Sequence, residues 1–395
     1  MSKPLDGIRV FDLTLAGVGP WAAKLLGQMG ADVIHVEAPG RAAMAVPPLF
    51  RGTSVLYVTA NANKRCVTMD LKDQKDRQTA YALIKSCDIF LENMRPGVVE
   101  RLGLDYESLK KVHPDLVYLS ASGYGQTGKM VPRPGADPQL QAYSGWTSIN
   151  GTAEGGPEFL RHFAHLDYNT SQYIVQAILM ALYNRERGRG GQKIEVAMLA
   201  AAMSLQSSRF AEYFATGTTP QRMGHATTAT VPQQSFLCQE GRWLAVGVTE
   251  DSQWPALCEA IGRPDLAQDP RYATNRRRVE HRDELVPILE AVFATKPLRW
   301  WEMKLTDAGV PQGRYLTWNE LRYHPQVVEN GLMLDQETEH WGHIYHEGPP
   351  WQFSKCEPIT WRPAAAIGEH NEEVRAEVAK MQAASPAGAT AGGSN

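Results

Sequence analysis

The groups in this sequence that could do chemistry gather in a few short stretches where carboxylates, amides and basic side chains stand beside glycines. The most suggestive is FAHLDYNTSQYIVQAILMAL, residues 163–182, where Asp167 precedes an apolar run with Ile174, Val175, Ile178, Leu179 and Leu182 at spacings of three and four. That spacing predicts a helix with Asp167 at or near its N-terminus. There the free N–H groups and the positive end of the helix dipole should favour an ionised carboxylate. Two uses are open to it: a nucleophile or base, or a helix cap shared with Asn169 or Thr170. On local pattern alone the cap is the better reading.

Further candidates lie ahead of it. Gly17-x-Gly19-x-x-Ala22 follows an apolar strand and opens a helix, with Glu37 about twenty residues on, the spacing of a nicotinamide-dinucleotide fingerprint. Against that, Pro20 suits the first helical position and offers no N–H to a phosphate, and small residues are needed in any tight strand-to-helix turn. Lys72, the run Asn93-Met94-Arg95-Pro96-Gly97 and the run Ser122-Gly123-Tyr124-Gly125-Gln126 are basic or amide-bearing turns that could grip phosphates. The arginines of 185–189 read as positive charge at a helix C-terminus. His340, His343 and His346 stand three apart, but the turn at Trp341-Gly342 and strand-like spacing would splay them, so no metal site is expected.

The elements that must position these residues alternate. Ile8–Leu13, Asp32–Glu37, Cys66–Leu71, Asp88–Glu92 and Leu116–Ala121 read as strands separated by helices over Trp21–Met29 and Gln74–Ser86, with short helices at Val98–Gly103 and Tyr106–Lys111. Such alternation predicts an α/β fold with a doubly wound parallel sheet, whose ligands bind beyond the carboxyl ends of the strands. The division expected is a large domain over 1–215, a polar linker or mobile loop at 216–232, a small α+β domain at 233–325, a return to the large domain at 326–380, and a low-complexity tail at 381–395.

At 395 residues and 43% hydrophobic, the chain is long enough for about two buried cores. A net charge of −3 argues against nucleic acid or an anionic membrane as the main partner. Five scattered cysteines with no C-x-x-C pair indicate neither zinc nor a disulfide framework. With no signal peptide and no long apolar run, a cytoplasmic protein is expected.

Taken in order, several landmarks resemble the family III CoA-transferases of the formyl-CoA and carnitine type. They are Gly19-Pro20 with Leu26-Gly27-x-x-Gly30-Ala31-Asp32, Asn63-Lys64-Arg65 with Asp70-Leu71-Lys72, Glu92-Asn93-x-Arg95-Pro96-Gly97, Gly123-Tyr124-Gly125-Gln126, Asp167-Tyr168-Asn169-Thr170 and Gly190-Gly191-Gln192. The resemblance implies a large domain built from both ends of the chain, a smaller inserted domain, and two protomers interlocked as a homodimer. It makes Asp167 the catalytic carboxylate and coenzyme A thioester a substrate, with no tightly bound cofactor. It further implies CoA contacts at Ala38, Met69, Lys72, Asn93, Met94, Arg101 and Arg133, and a substrate-side loop involving Gly17, Gly224 and His225. Gly17 stands where formyl-CoA transferase carries a glutamine. An α-methylacyl-CoA racemase of the same fold would need a histidine where Gly135-Ala136-Asp137 has Ala136. A non-catalytic acyl-CoA-binding protein, with Asp167 only a cap, is the remaining alternative.

Overall fold

The computed structural model describes residues 2–40, 46–160, 164–357 and 361–384. Phe163 of the Asp167 stretch, and residues 385–395 of the predicted tail, lie outside the described residues; Met381–Ala384 continue a helix.

The chain opens with Arg9–Leu13 (β1), Val18–Gln28 (α1) and Asp32–Glu37 (β2). There follow Arg65–Thr68 (β3), Gln74–Ile84 (α2), Ile89–Glu92 (β4) and Val117–Ser122 (β5). Next come Asp137–Tyr143 (α3), His165–Asn184 (α4), Gln192–Ala197 (β6) and Met198–Leu205 (α5). The six strands form one parallel sheet in the order β3-β2-β1-β4-β5-β6. Successive side chains on a strand point to opposite faces, so the near-continuous apolar runs feed two cores. Val10, Val33, Ile89, Leu91, Val117 and Leu119 pack on one side with α1, α4 and α5. Phe11, Ile34, Phe90 and Tyr118 pack on the other. Burial on both faces is what a parallel sheet requires.

α1 begins three residues earlier than the sequence suggested, so Pro20 is its third residue and not its first. The first-turn N–H groups have no intrahelical partner in any case, and the missing donor costs nothing there. The recurrent glycines are packing residues. A Cβ at Gly19 would lie 2.4 Å from the Thr14 side chain, one at Gly27 2.4 Å from the Asn63 carbonyl oxygen, and one at Gly191 2.4 Å from the Leu116 carbonyl oxygen.

The chain forms two compact units. The first takes Met1–Ser144, Leu160–Ser207 and Asn330–Asn395; the second takes Gly145–Phe159 and Ser208–Glu329. The second unit contains Gln233–Leu237 (β7), Trp243–Gly247 (β8), Arg282–Phe293 (α6), Leu298–Asp307 (α7) and Gln312–Arg314 (β9), the strands forming an antiparallel sheet around its own core. Its irregular stretch from Gly217 to Thr230 is tied down. Arg222 donates to the carbonyls of Ser148, Thr152 and Gly155, and Arg282 to those of Thr227 and Thr228.

Two late elements return to the first unit. Met333–Thr338 (β10) and Gly342–Glu347 (β11) form a hairpin. Asn371–Ala384 (α8) buries Val374 and Val378 in the second-face core, while its Glu373 and Glu377 pair with Arg65 and Glu377 also pairs with Arg9. Both ends of the chain thus build the sheet domain. No helix among the described residues is long and apolar enough to cross a membrane.

Candidate active site

The strand order reverses between β1 and β4, which is where a doubly wound sheet leaves a crevice at its carboxyl edge. Two side chains bind that crevice together. Asn93, just after β4, accepts from Leu15 N–H at 2.8 Å and donates to the Leu15 carbonyl at 2.7 Å. Asp12, at the end of β1, accepts from Thr14 N–H at 3.0 Å. The chain then takes a positive φ of 66° at Ala16 and presents the bare Cα of Gly17. A cavity of about 130 Å³ opens there, lined among others by Ala16, Gly17, Asn93, Ser122, Ala136 and Asp167.

Asp167 enters from above on the first turn of α4, whose N-cap, Ala164, supplies no side-chain bond. The capping carboxylate is Asp137, at the start of α3. Its Oδ2 accepts from Leu166 N–H at 2.6 Å and from Asp167 N–H at 3.2 Å. Its Oδ1 accepts from Gln141, whose own Oε1 accepts from Leu160 N–H at 3.0 Å. Neither Asn169 nor Thr170 caps the helix, and Thr170 Oγ1 instead donates back to the Leu166 carbonyl. The expectation that Asp167 serves as its own helix's cap is therefore corrected. Ser171 Oγ lies 2.8 Å from the Asp167 carbonyl and 2.6 Å from that of Val18, holding α4 to α1 at the level of the cavity. Tyr168 stacks on Trp21 with ring centroids 3.7 Å apart.

The electrostatics reverse a second expectation. Burial, and then the nearby charge of Asp137, push the Asp167 carboxyl up to about 7. Asp137 has already taken the helix-end N–H groups, so the positive end of the dipole serves Asp137 and desolvation dominates at Asp167.

The other candidates fall as follows. Ala38, Met69, Lys72, Asn93, Met94 and Arg101 all follow the carboxyl ends of β2, β3 or β4. Ala38, Lys72, Arg101 and Arg133 are exposed, Met94 is half-buried with its N–H on Glu92 at 2.8 Å, and Met69 is buried in the second-face core. The Asn93 amide is engaged at both ends by Leu15. Gly224 and His225 belong to the second unit, where Gly224 N–H bonds the Gly151 carbonyl and His225 packs on Trp243. Local sequence gave no prominence to Ser171, or to Met198 in the cavity lining, and it weighed Asp137 only as a neighbour of Ala136. The hydroxyl one turn after Asp167 and the acid opening a short helix were the available signals.

Beneath the crevice lies a fully buried charge cluster. Asp12 accepts from Lys64 at 2.9 Å and lies 3.0 Å from His35 Nδ1, whose Nε2 lies 3.0 Å from Glu37. Burial opposes ionisation of Asp12, yet Lys64 and His35 outweigh it and hold its carboxyl well below the usual range. Burial likewise opposes protonation of His35, but Asp12 and Glu37 raise its pKa. A carboxylate at each ring nitrogen favours the doubly protonated imidazolium, in which both nitrogens donate.

His343 sits between Asp335 and Glu337 on the hairpin, and His346 stacks on Trp361 at 3.6 Å. Among the described residues no group of three His, Cys, Asp or Glu side chains could hold a metal ion. A larger, apolar cavity of about 390 Å³ beside this hairpin is lined by Phe50, Val55, Val58 and Trp361. It contains neither Asp167 nor the sheet's switch point, so the smaller cavity is the candidate site.

The profile of CoA-transferase family III matches residues 5–371. Succinyl-CoA:glutarate CoA-transferase of Mus musculus is 33% identical over 95% of this chain and 86% of its own length. Acetyl-CoA:oxalate CoA-transferase of Acetobacter aceti is 31% identical over 96% of this chain and 97% of its own length. Among solved structures, a CAIB/BAIF family protein from Brucella suis superposes with a TM-score of 0.86 at 30% identity, over 96% of this chain and 100% of that one. A chain that the family's profile matches from residue 5 to 371, and whose fold superposes on a solved relative over 96% of its length, belongs to CoA-transferase family III.

Proposed function

We propose that this enzyme moves CoA from an acyl-CoA donor to a carboxylic acid through covalent adducts on Asp167. The single observation that carries the reading is a carboxyl unencumbered by capping, held against Gly17 in the switch-point cavity and pushed up to about 7. A carboxylate of raised pKa is a better nucleophile than an ordinary aspartate once ionised.

An Asp167 oxygen attacks the thioester carbonyl and the C–S bond breaks, giving a mixed anhydride and CoA thiolate. The thiolate attacks Cγ of Asp167, releasing the first acyl group as its carboxylate and leaving an aspartyl-CoA thioester. An acceptor carboxylate attacks that Cγ, expels the thiolate and forms a second anhydride. The thiolate then attacks the acceptor's carbonyl, giving the new acyl-CoA and free Asp167. No net proton moves, and the thioester's energy passes from donor to acceptor provided water is kept out. Asn93, Asp12 and Ser171 fix the two backbones that bring Gly17 and Asp167 together. Lys72, Met94, Arg101 and Arg133, with Ala38 and Met69, are the proposed surroundings of the CoA handle, and Gly224 and His225 of the substrate-side loop. The relatives act, by their names, on succinyl-CoA with glutarate and acetyl-CoA with oxalate. Short acyl-CoA donors with mono- and dicarboxylic acceptors are accordingly the pairs to test. An interlocked homodimer in the cytoplasm belongs to the same proposal.

A panel of acyl-CoA donors and acids, read by mass spectrometry, tests the reaction. New acyl-CoA is expected only with an acceptor present. α-Deuterium uptake from D2O into a 2-methylacyl-CoA, abolished in Asp167→Ala, would instead establish the racemase.

A further inference from the structure

Asp137 does for α4 what a side chain on α4 itself would ordinarily do. It is buried, it opens a separate helix, and one oxygen takes two N–H groups at the end of α4 while the other is fixed by Gln141. An uncharged Asn could cap α4 through its oxygen as well, with its amide turned toward the Gln141 donor. Placing a second carboxylate within one peptide of Asp167 has an electrostatic consequence that mere capping does not require.

We propose that Asp137 is a positioning residue for the reaction, holding the first turn of α4 and setting a fixed negative charge beside Asp167 that favours its conversion into uncharged covalent adducts. This rests on the reading of Asp167 as nucleophile. In the free enzyme the buried Asp137 charge lies close enough to oppose ionisation of Asp167. When Asp167 becomes an anhydride or a thioester its charge is gone, and the repulsion is relieved. The adducts are thereby stabilised relative to free Asp167 without any contact to the substrate. The upward shift of the Asp167 carboxyl, in which the Asp137 charge is the second cause after burial, agrees with this arrangement.

The other charges on elements packed against α4 are committed elsewhere. Lys24 on α1 pairs with Glu347, and Lys193 and Glu195 on β6 pair with each other. α5 carries no ionisable side chain, and β5 carries only Tyr118, which packs into the opposite core. His165 and Tyr168 share the first turn of α4 with Asp167, and Arg185 beyond its far end pairs with Asp88.

The test is Asp137→Asn, which keeps an oxygen to accept from Leu166 and Asp167 and removes the charge, while giving up the bond that Gln141 donates. With a donor acyl-CoA and no acceptor, the fraction of Asp167 found as a covalent adduct should fall several-fold. The acid limb of kcat/KM should move to lower pH by about one unit, with CoA affinity unchanged. A folded Asp137→Asn enzyme with the wild-type adduct fraction and an unmoved acid limb would overturn the proposal. If that variant does not fold, the wild-type enzyme decides. With 13C-labelled aspartate and the Asp167 signal assigned by its loss in Asp167→Asn, titration near neutrality supports the proposal, and titration in the ordinary aspartate range overturns it. Absence of any Asp167 adduct in the wild-type enzyme during turnover is a separate result: it removes the nucleophile reading itself, and this inference with it.

Discussion

The Asp167 carboxyl rests directly over the Cα of Gly17: a Cβ added at Gly17 would lie 2.5 Å from Asp167 Oδ2 and 3.0 Å from its Cγ. The glycine is thus a condition for the position of the carboxyl. Gly17→Ala should leave the fold intact, because the closest approach is to the end of one movable side chain, with the Trp21 ring next at 3.0 Å. It should lower kcat by on the order of 100-fold, the cost of misplacing a reacting group by about 1 Å. Steady-state kinetics beside a CoA-binding isotherm would check this; unchanged kcat would mean the carboxyl works from another rotamer.

Asn93 closes the crevice through two bonds to one residue, Leu15. Asn93→Ala leaves both backbone groups without that partner and should cost about 1–3 kcal/mol. The loss would be read as a lower urea midpoint with an unchanged slope. Activity should fall more than stability alone explains, because the Leu15–Gly17 turn is no longer held.

The pH dependence has a definite sign. Asp167 attacks as the carboxylate, so activity should rise with pH through about 7 and fall below it. For stability the group acts oppositely. Its folded pKa lies above the unfolded value of 3.8, so folding is progressively penalised as pH climbs from there to about 7. Asp167→Asn should therefore gain stability over wild type at pH 8 but not at pH 4, measured by thermal unfolding.

The charge cluster beneath the crevice predicts a second pH effect. Because the His35 pKa is raised in the folded protein, its contribution is fully present below the unfolded value and is lost as pH rises through the folded one. Asp12, whose carboxyl is held low, contributes above its unfolded value and loses that contribution only in acid. Lys64→Met, which removes one of the two cations beside the buried Asp12, should destabilise by about 3–5 kcal/mol. A change below 1 kcal/mol in denaturant titration would show that water reaches the cluster.

The β1-α1-β2 opening, the strand runs and the helix behind Asp167 were legible because burial on both sheet faces and a one-sided helix leave strong periodic signals. The family landmarks were legible because Gly19, Gly27 and Gly191 each meet a neighbouring side chain or backbone at a distance no Cβ tolerates. What could not be read was any relation between distant positions. Asp137 lies thirty residues from the N–H group it caps, and Leu15 seventy-eight from Asn93. Local rules therefore assigned the cap to Asp167 and supposed its carboxyl ionised by the helix dipole; a second acid supplied from another helix took the cap, and burial together with that acid's charge raised the carboxyl.

The central claim is that Asp167 carries the transferred group, and trapping tests it most directly. The enzyme mixed with a donor acyl-CoA, quenched and digested, should show an acyl or CoA adduct on the Asp167 peptide that hydroxylamine converts to the hydroxamate. Asp167→Ala should fold, bind CoA, form no adduct and not turn over. Transfer at the wild-type rate by Asp167→Ala, or an adduct on any other residue in its place, would contradict the account.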